Sequence, residues 1–326
     1  MSGPTMPLHV RPATPADLEA AARVYTLARP GNPATAQRLH HEDAAQQAAG
    51  AYHRRWLALA GDDVVGAAEL LEPLGSRHSA DAGGVFWMEL AVLEDWRGRG
   101  LATRLFRTLL QDLQTQRPRT LKAILSEANP IAMRFAQTRG FHEAERFWDR
   151  TLDLSTFEAS RHAAVIPAGI SFLNLHEFRA QHPAPLSALH TLYEEARLDL
   201  PRAPGETFQP LPESATDAWL SALQPELVTL AVSADSPPRP LALAALEPSG
   251  GPGELVVSMT GVARAERGRG MARAVKVASM LAARAAGWHT IRTTNHSTNL
   301  PMLRVNDALG FGREPARLGM IREWPA

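Results

Sequence analysis

The chain contains no cysteine at all. That absence removes disulfides, thiolate metal sites and cysteine nucleophiles together. Tyrosine is almost as scarce, with three in 326 residues, and aromatic residues make up only 6%. A surplus of charge is missing too, since 34 Lys plus Arg are matched by 34 Asp plus Glu. Zero net charge gives no general pull toward nucleic acid or an anionic membrane, so neither is expected as a partner. No stretch offers eighteen uninterrupted apolar residues, and the start, MSGPTMPLHVRPATPADLEAAARVY, lacks a basic region followed by an apolar run. The expectation is an unexported, cytoplasmic protein. Three site signatures are also absent: the Gly-x-Ser-x-Gly elbow, the G-x-G-x-x-G dinucleotide fingerprint and the Gly-Lys-Ser/Thr of a phosphate loop.

What is present is ordinary globular composition, 45% apolar and 21% charged, in a length suited to roughly two domains. One phrase occurs twice. RGRGLA spans Arg97 to Ala102 and RGRGMA spans Arg267 to Ala272, and 267 − 97 = 170. Asn129 and Asn299 keep the same offset, as do Gly140-Phe141 and Gly310-Phe311. A spacing that long is too great for a solenoid repeat and fits a duplicated domain. The expected division is a domain over 1–157, a linker over 158–168 and a second domain over 169–326.

Each half reads as strand, helix, several antiparallel strands, helix, strand, helix, strand. In the first half Thr14 and Pro15 open a helix through Leu18, Ala21, Ala22 and Tyr25. A hairpin turns at Gly61-Asp62-Asp63, and after Gly100 a helix carries Leu101, Leu105, Leu109 and Leu113 on one face. This order predicts an α+β fold, a mixed and mostly antiparallel sheet flanked by helices, twice over. Two polar segments, ARPGNPATAQRLHHEDAAQQ and the Pro-rich LPRAPGETFQPLPESA, are expected to be loops beside the site.

A glycine-rich turn between strand and helix leaves backbone N–H groups free at the positive end of a helix dipole, which suits a pyrophosphate. Gly98, Gly100, Gly268 and Gly270 let an anion approach backbone, and Arg97, Arg99, Arg267 and Arg269 can add charge-assisted bonds. The competing reading of one copy alone is a tight surface turn with two solvated arginines. Two copies at equivalent positions weigh against it.

VLEDWRGRGLA and VARAERGRGMA resemble the acyl-CoA-binding signature of the GNAT N-acetyltransferase superfamily. ANPIAMRFAQTRGF and TNLPMLRVNDALGF resemble its second signature, an Asn followed by a helix and a Gly-Phe. The tandem arrangement is similar to mycothiol-synthase-like double GNAT proteins. The resemblance implies acetyl-CoA, or another short acyl-CoA, as cofactor. Its pyrophosphate would lie on the amides of Gly98, Arg99, Gly100, Leu101, Ala102 and Thr103, and of Gly268, Arg269, Gly270, Met271, Ala272 and Arg273. It implies that the strand ends at Leu90 and Val92, and at Val262, splay from the next strand to meet the pantetheine chain, and that Asn129 and Asn299 bond that chain. The motif's usual proline is Glu94 in one copy and Arg264 in the other. The tyrosine that many members place seven residues after the Asn, to protonate the leaving thiolate, is Ala136 or Asn306 here.

Acetyl transfer to an amine needs an uncharged nitrogen and therefore a base. Glu89, in the otherwise apolar VFWMELAV, is the candidate; the corresponding residue in the second half is Met259, with Thr260 and Asn306 as candidates for orienting water or offering a hydrogen bond. Histidines 40, 41, 53, 78 and 142 lack metal-ligand spacing, so no metal is expected, and His296 is a candidate at the cleft mouth. Asp62-Asp63 and Glu194-Glu195 read as turn and helix surface. The expected activity is acetyl-CoA-dependent acetylation of a primary amine on a small molecule or peptide by a monomer or homodimer. The alternative is a non-catalytic acyl-CoA-binding or sensing protein with one or both domains degenerate.

Overall fold

A computed structural model describes residues 7–29, 34–73, 84–165, 169–181, 186–201, 210–235, 238–249 and 251–324, with side chains of 163–165 excluded. The chain packs as two compact units, and they are not contiguous halves. Unit 1 is Met1–Ala144 together with Leu318–Ala326, and unit 2 is Glu145–Arg317. No helix of the described residues is long and apolar enough to cross a membrane.

The first nine elements are β1 (Leu8–Pro12), α1 (Leu18–Ala28), α2 (Ala36–Ala48), β2 (His53–Ala60), β3 (Asp63–Leu71), β4 (Gly84–Val92), α3 (Leu101–Leu113), β5 (Pro118–Ser126) and α4 (Pro130–Gln137). They are followed by β6 (His142–Asp153), β7 (Ile170–Asn174), α5 (Leu175–Gln181), α6 (Leu186–Leu198), α7 (Glu213–Ala222), β8 (Val228–Ser233), β9 (Pro240–Pro248) and β10 (Glu254–Val262). The chain ends with α8 (Met271–Ala285), β11 (Thr290–His296), α9 (Leu300–Ala308), β12 (Gly312–Arg313) and β13 (Arg317–Glu323).

In unit 1 the strand order is β1-β2-β3-β4-β5-β13, antiparallel from β1 to β4, with β5 parallel to β4. Strands β2 and β3 are buried in unbroken runs because helices cover both sheet faces. Helices α1 and α2 pack on one face around Ala21, Val24, Leu39, Leu57 and Ala67, while the Leu101, Leu105, Leu109 and Leu113 stripe of α3 is fully buried. Unit 2 repeats the plan in the order β6-β11-β10-β9-β8-β7, with β10 and β11 parallel. Each unit is therefore α+β, a mixed and mostly antiparallel sheet flanked by helices.

Three local expectations are revised. The segment around AQRLHHEDAAQQ is not a loop: it forms α2, capped by the Thr35 hydroxyl accepting from the Arg38 amide at 3.1 Å. Much of the Pro-rich LPRAPGETFQPLPESA, residues 202–209, lies outside the described residues. The strand FWDRTLDL, expected to close the first domain, falls in unit 2, where β6 pairs antiparallel with β11. The final strand of the chain closes unit 1 beside β5, so the division at residue 157 is not how the chain packs. Residues Ala159–Val165 of the expected linker form a 3-10 segment of unit 2.

One core position carries a charge problem. Phe106 of α3 packs edge-on against Phe135 at 5.9 Å, and the residue 170 positions later on α8 is Lys276. Lys276 is 1% exposed, its Nζ has no hydrogen-bond partner, and it lies 5.0 Å from the Phe311 ring centre. Burial lowers its pKa from 10.5 to about 7. Between those values the unfolded chain holds a proton that the folded one lacks, so this residue's penalty is full below about pH 7 and relieved as pH rises toward 10.5. Lys276→Met is expected to raise stability at pH 7 by about 2 kcal/mol or more, with the gain shrinking toward pH 10. Urea unfolding at the two pH values checks this, and a variant less stable at pH 7 would contradict it.

Candidate active site

The duplicated phrase adopts the same backbone twice. A short 3-10 turn, Glu94–Trp96 or Arg264–Glu266, leads into Gly98 at φ +76° and Gly100 at +80°, or Gly268 at +75° and Gly270 at +80°. These left-handed angles explain glycine at all four positions. Helices α3 and α8 start at the next residue. None of the amides from Gly98 to Thr103, or from Gly268 to Arg273, donates to a protein acceptor. Six consecutive unspent donors at a helix N-terminus form a concavity suited to an anion such as a pyrophosphate.

The arginines behave differently from the expectation. Arg97 Nε donates to the Val92 carbonyl at 3.2 Å and Arg267 Nε to the Val262 carbonyl at 3.0 Å, so each ties its loop to the end of the preceding strand. Arg99 stacks over Trp96 at 4.6 Å. In unit 1 neither Arg97 nor Arg99 meets a carboxylate. In unit 2 Asp199 takes Arg264 at 2.8 and 3.0 Å and Arg267 at 2.6 Å, while Arg269 pairs with Glu266 at 2.6 Å. Glu195 accepts from the Arg264 amide at 2.7 Å. The second cradle is electrically quieter.

Beside each cradle the parallel ladder stops early. β4 pairs with β5 only through Trp87↔Lys122, although β4 continues to Val92 and β5 to Ser126. β10 pairs with β11 only through Val256↔Arg292, although both run on. The backbone of Met88–Val92 facing β5, including Leu90, and its counterpart up to Val262 therefore lack ladder partners. Such an open edge can accept an extended chain as a surrogate strand. In β10 a bulge between Val257 and Met259 adds to the divergence.

Asn129 and Asn299 are N-caps. Their Oδ1 atoms accept from Ala132 at 3.0 Å and Met302 at 3.3 Å, which leaves only the Nδ2 groups to donate elsewhere. Asn306 does not face an open cleft: it is fully buried and donates to Asn295 at 2.6 Å. Ala136 is buried as well. Thr260 Oγ1 is buried without a partner. His296 is held by Thr298 at 2.7 Å and lies edge-on to Phe147 at 5.3 Å, a structural setting. Glu194 is not helix surface; it is buried, pairs with Arg197 at 2.7 and 3.0 Å, and accepts from the Leu211 amide.

Glu89 lies on the face of β4 that looks toward α1 and α2, directly opposite Glu69 of β3. It is half-buried, and desolvation raises its pKa, with Glu69 adding to the rise and Arg29 opposing it. The arginine at the end of α1, Arg29, forms an ion pair with Glu89. Glu69 is held by Arg55 at 2.6 Å and His53 at 2.5 Å. Asp43, His53 and Glu69 present potential metal-ligand atoms within 4.8 Å of one another. Arg55 bonds both carboxylates, meeting Asp43 at 3.0 Å, so a protein cation already lies between them. Sequence reasoning missed Arg29, Asp43 and the role of His53, because their partners lie on other elements.

The match to known proteins follows this geometry. Residues 21–141 fit the model of the acetyltransferase (GNAT) family. Those residues form a GNAT domain. The GNAT fold extends over both units: a GCN5-related N-acetyltransferase from Sphaerobacter thermophilus aligns with a TM-score of 0.70 at 19% identity, covering 98% of this chain and 97% of that one. A tandem GNAT protein from the clavulanic acid biosynthesis pathway aligns with a TM-score of 0.71 at 19% identity, covering 98% and 100%. A putative acetyltransferase from Pyrococcus horikoshii aligns at 0.52 and 14% identity, covering 98% and 90%. No curated protein matches the sequence.

The Asp199 ion pairs stabilise unit 2 in a pH-dependent way. Its arginine partners hold the carboxyl down at about 2, so its contribution is present above the ordinary 3.8 and is lost as pH falls through about 2. Asp199→Asn is expected to cost about 0.5–1 kcal/mol at pH 7, solvent screening limiting the figure. The difference from wild type should close as the pH of the unfolding measurement is lowered; a constant difference would contradict the assignment.

Proposed function

We propose that the chain is an acyl-CoA-dependent N-acetyltransferase whose first unit performs the reaction, moving an acetyl group to the amine of a small molecule or peptide. The observation that carries this reading is the position of Glu89, a half-buried carboxylate with a raised pKa on the strand that diverges beside an unspent amide cradle. The residues fit such a donor: free amides for a pyrophosphate, an unpaired strand edge for an amide-bearing chain, and the Asn129 Nδ2 as a further donor. When bound, acetyl-CoA supplies an acyl group activated as a thioester.

Glu89 takes a proton from the acceptor's ammonium group, and its raised pKa makes it a stronger base than an ordinary glutamate. An amide on the open edge of β4 polarises the carbonyl under attack. The three tyrosines offer no proton donor beside Ala136, so water returns the proton to sulfur. Unit 2 is assigned acyl-CoA binding without transfer, because Met259 replaces the base and carboxylates occupy its cradle arginines.

The reading is tested by kcat/KM against pH. Activity should rise through a pKa above the ordinary 4.5 of glutamate, and Glu89→Gln should cost about a hundredfold or more and abolish that limb. Full turnover by this variant would sink the assignment of the base. Calorimetric titration with acetyl-CoA locates the donor: Gly100→Glu should remove turnover and the tighter site, and Gly270→Glu should remove only a second, weaker one. Thermal unfolding verifies that both variants fold, and loss of turnover only in Gly270→Glu would reverse the assignment of the units.

A further inference from the structure

The ion pair that restrains the base also describes the charge pattern of what must replace it. Arg29 ends α1, and its guanidinium lies against Glu89 and 5.3 Å from the Tyr25 ring centre, with Nε making no hydrogen bond. The two side chains are 36% and 32% exposed, so both are reachable from solvent. Neither is required by the fold: the residue that follows α6, the helix packed on β10 as α1 is on β4, is Asp199, and Met259 of β10 stands where β4 has Glu89.

The surrounding charges are already committed. Glu69 opposite Glu89 is held by Arg55, and His53 bridges Glu69 to Asp43, which Arg55 also holds. Arg38 and Glu42 of α2 pair with each other at 3.5 Å. One guanidinium and one carboxylate, Arg29 and Glu89, remain as a couple facing the open side. An acceptor ammonium that reaches Glu89 displaces Arg29. A plain amine would leave that guanidinium without a counter-charge in a half-buried setting, which is costly. A molecule carrying ammonium and carboxylate on neighbouring positions exchanges one partner for another at both ends.

Resting on the N-acyltransferase reading, we infer that the acceptor of unit 1 is an α-amino acid or a compound with the same adjacent amine and carboxylate, its ammonium on Glu89 and its carboxylate on Arg29. The acceptor ammonium gives one proton to Glu89; the N–C bond forms as the C–S bond breaks. The second nitrogen proton leaves through water, and the thiolate sulfur gains one from water. The product has lost its positive charge but keeps the carboxylate on Arg29, and Glu89 then releases its proton to solvent.

The experiment compares the full-length protein on matched pairs that differ only in the carboxyl group: leucine and isopentylamine, phenylalanine and phenethylamine, histidine and histamine, lysine and cadaverine. Acetyl-CoA consumption is measured as kcat/KM, and calorimetric binding of the same compounds is measured on protein saturated with CoA. At least one amino acid is expected to exceed its decarboxylated partner by about thirtyfold or more in both readouts, the scale of a charge-assisted bidentate contact. In Arg29→Met the ratio within the pair should fall to near one, and Arg29→Lys should retain part of it. Equal ratios in the wild type, or a preference that survives in Arg29→Met, would overturn the inference. Carboxylate-dependent binding without any turnover would uphold the anion contact while refuting the transferase reading; turnover of amines without carboxylate preference would do the reverse.

Discussion

Between β4 and β5, and again between β10 and β11, the parallel ladder ends while both strands continue, and the remaining site geometry is arranged around that divergence. A central strand with one unpaired edge costs hydrogen bonds unless something else supplies them. Each unit answers in part with its own arginine: Arg97 caps the Val92 carbonyl and Arg267 the Val262 carbonyl. The same arginine fixes where the following turn begins, and the two left-handed glycines then aim the unspent amides of the next helix at the same side. Strand opening and anion cradle are thus one construction, which explains why the phrase is nearly identical in both copies.

What the duplication preserved in backbone it altered in charge. The residue at the end of the first long helix is Arg29 in unit 1, where it reaches the sheet carboxylate Glu89, and Asp199 in unit 2, where it reaches the cradle arginines. Gly261 admits Ala196 so closely that an added Cβ would sit 2.5 Å from the alanine Cβ, so α6 presses onto β10 where Ala91 occupies the equivalent place in unit 1. That contact lies two residues from Met259, the counterpart of Glu89. Lys276 in place of Phe106 continues the contrast inside the core.

The features readable in sequence were those decided locally. Glycine before a leucine stripe announced α3, and Asn129 and Asn299 followed by Pro130 and Leu300 marked helix starts, because capping and left-handed turns are set within a few residues. Helix α2 escaped notice because little but Leu39 and Gln46 is buried along it, leaving no apolar rhythm. Arg29, Asp43 and His53 gave no signal, since their partners are strands away. The Asn residues were read as ligands for a bound chain, yet each spends its oxygen on its own helix. The pairing of the terminal strands was equally hidden, since nothing in a strand's composition names its neighbour.

That pairing gives the polypeptide an unusual order of completion. Most of unit 1 precedes unit 2 in the chain, but the strand that closes its sheet beside β5 is Arg317–Glu323, where unit 2 ends. At roughly 5–20 residues per second, some ten to thirty-five seconds separate synthesis of the two pieces. Over that interval β5 is an edge strand on the ribosome, open to any extended segment that can pair with it. The strand that completes unit 1 is thus made only after unit 2, and a chain stopped at the boundary between its repeats would leave the earlier unit unfinished.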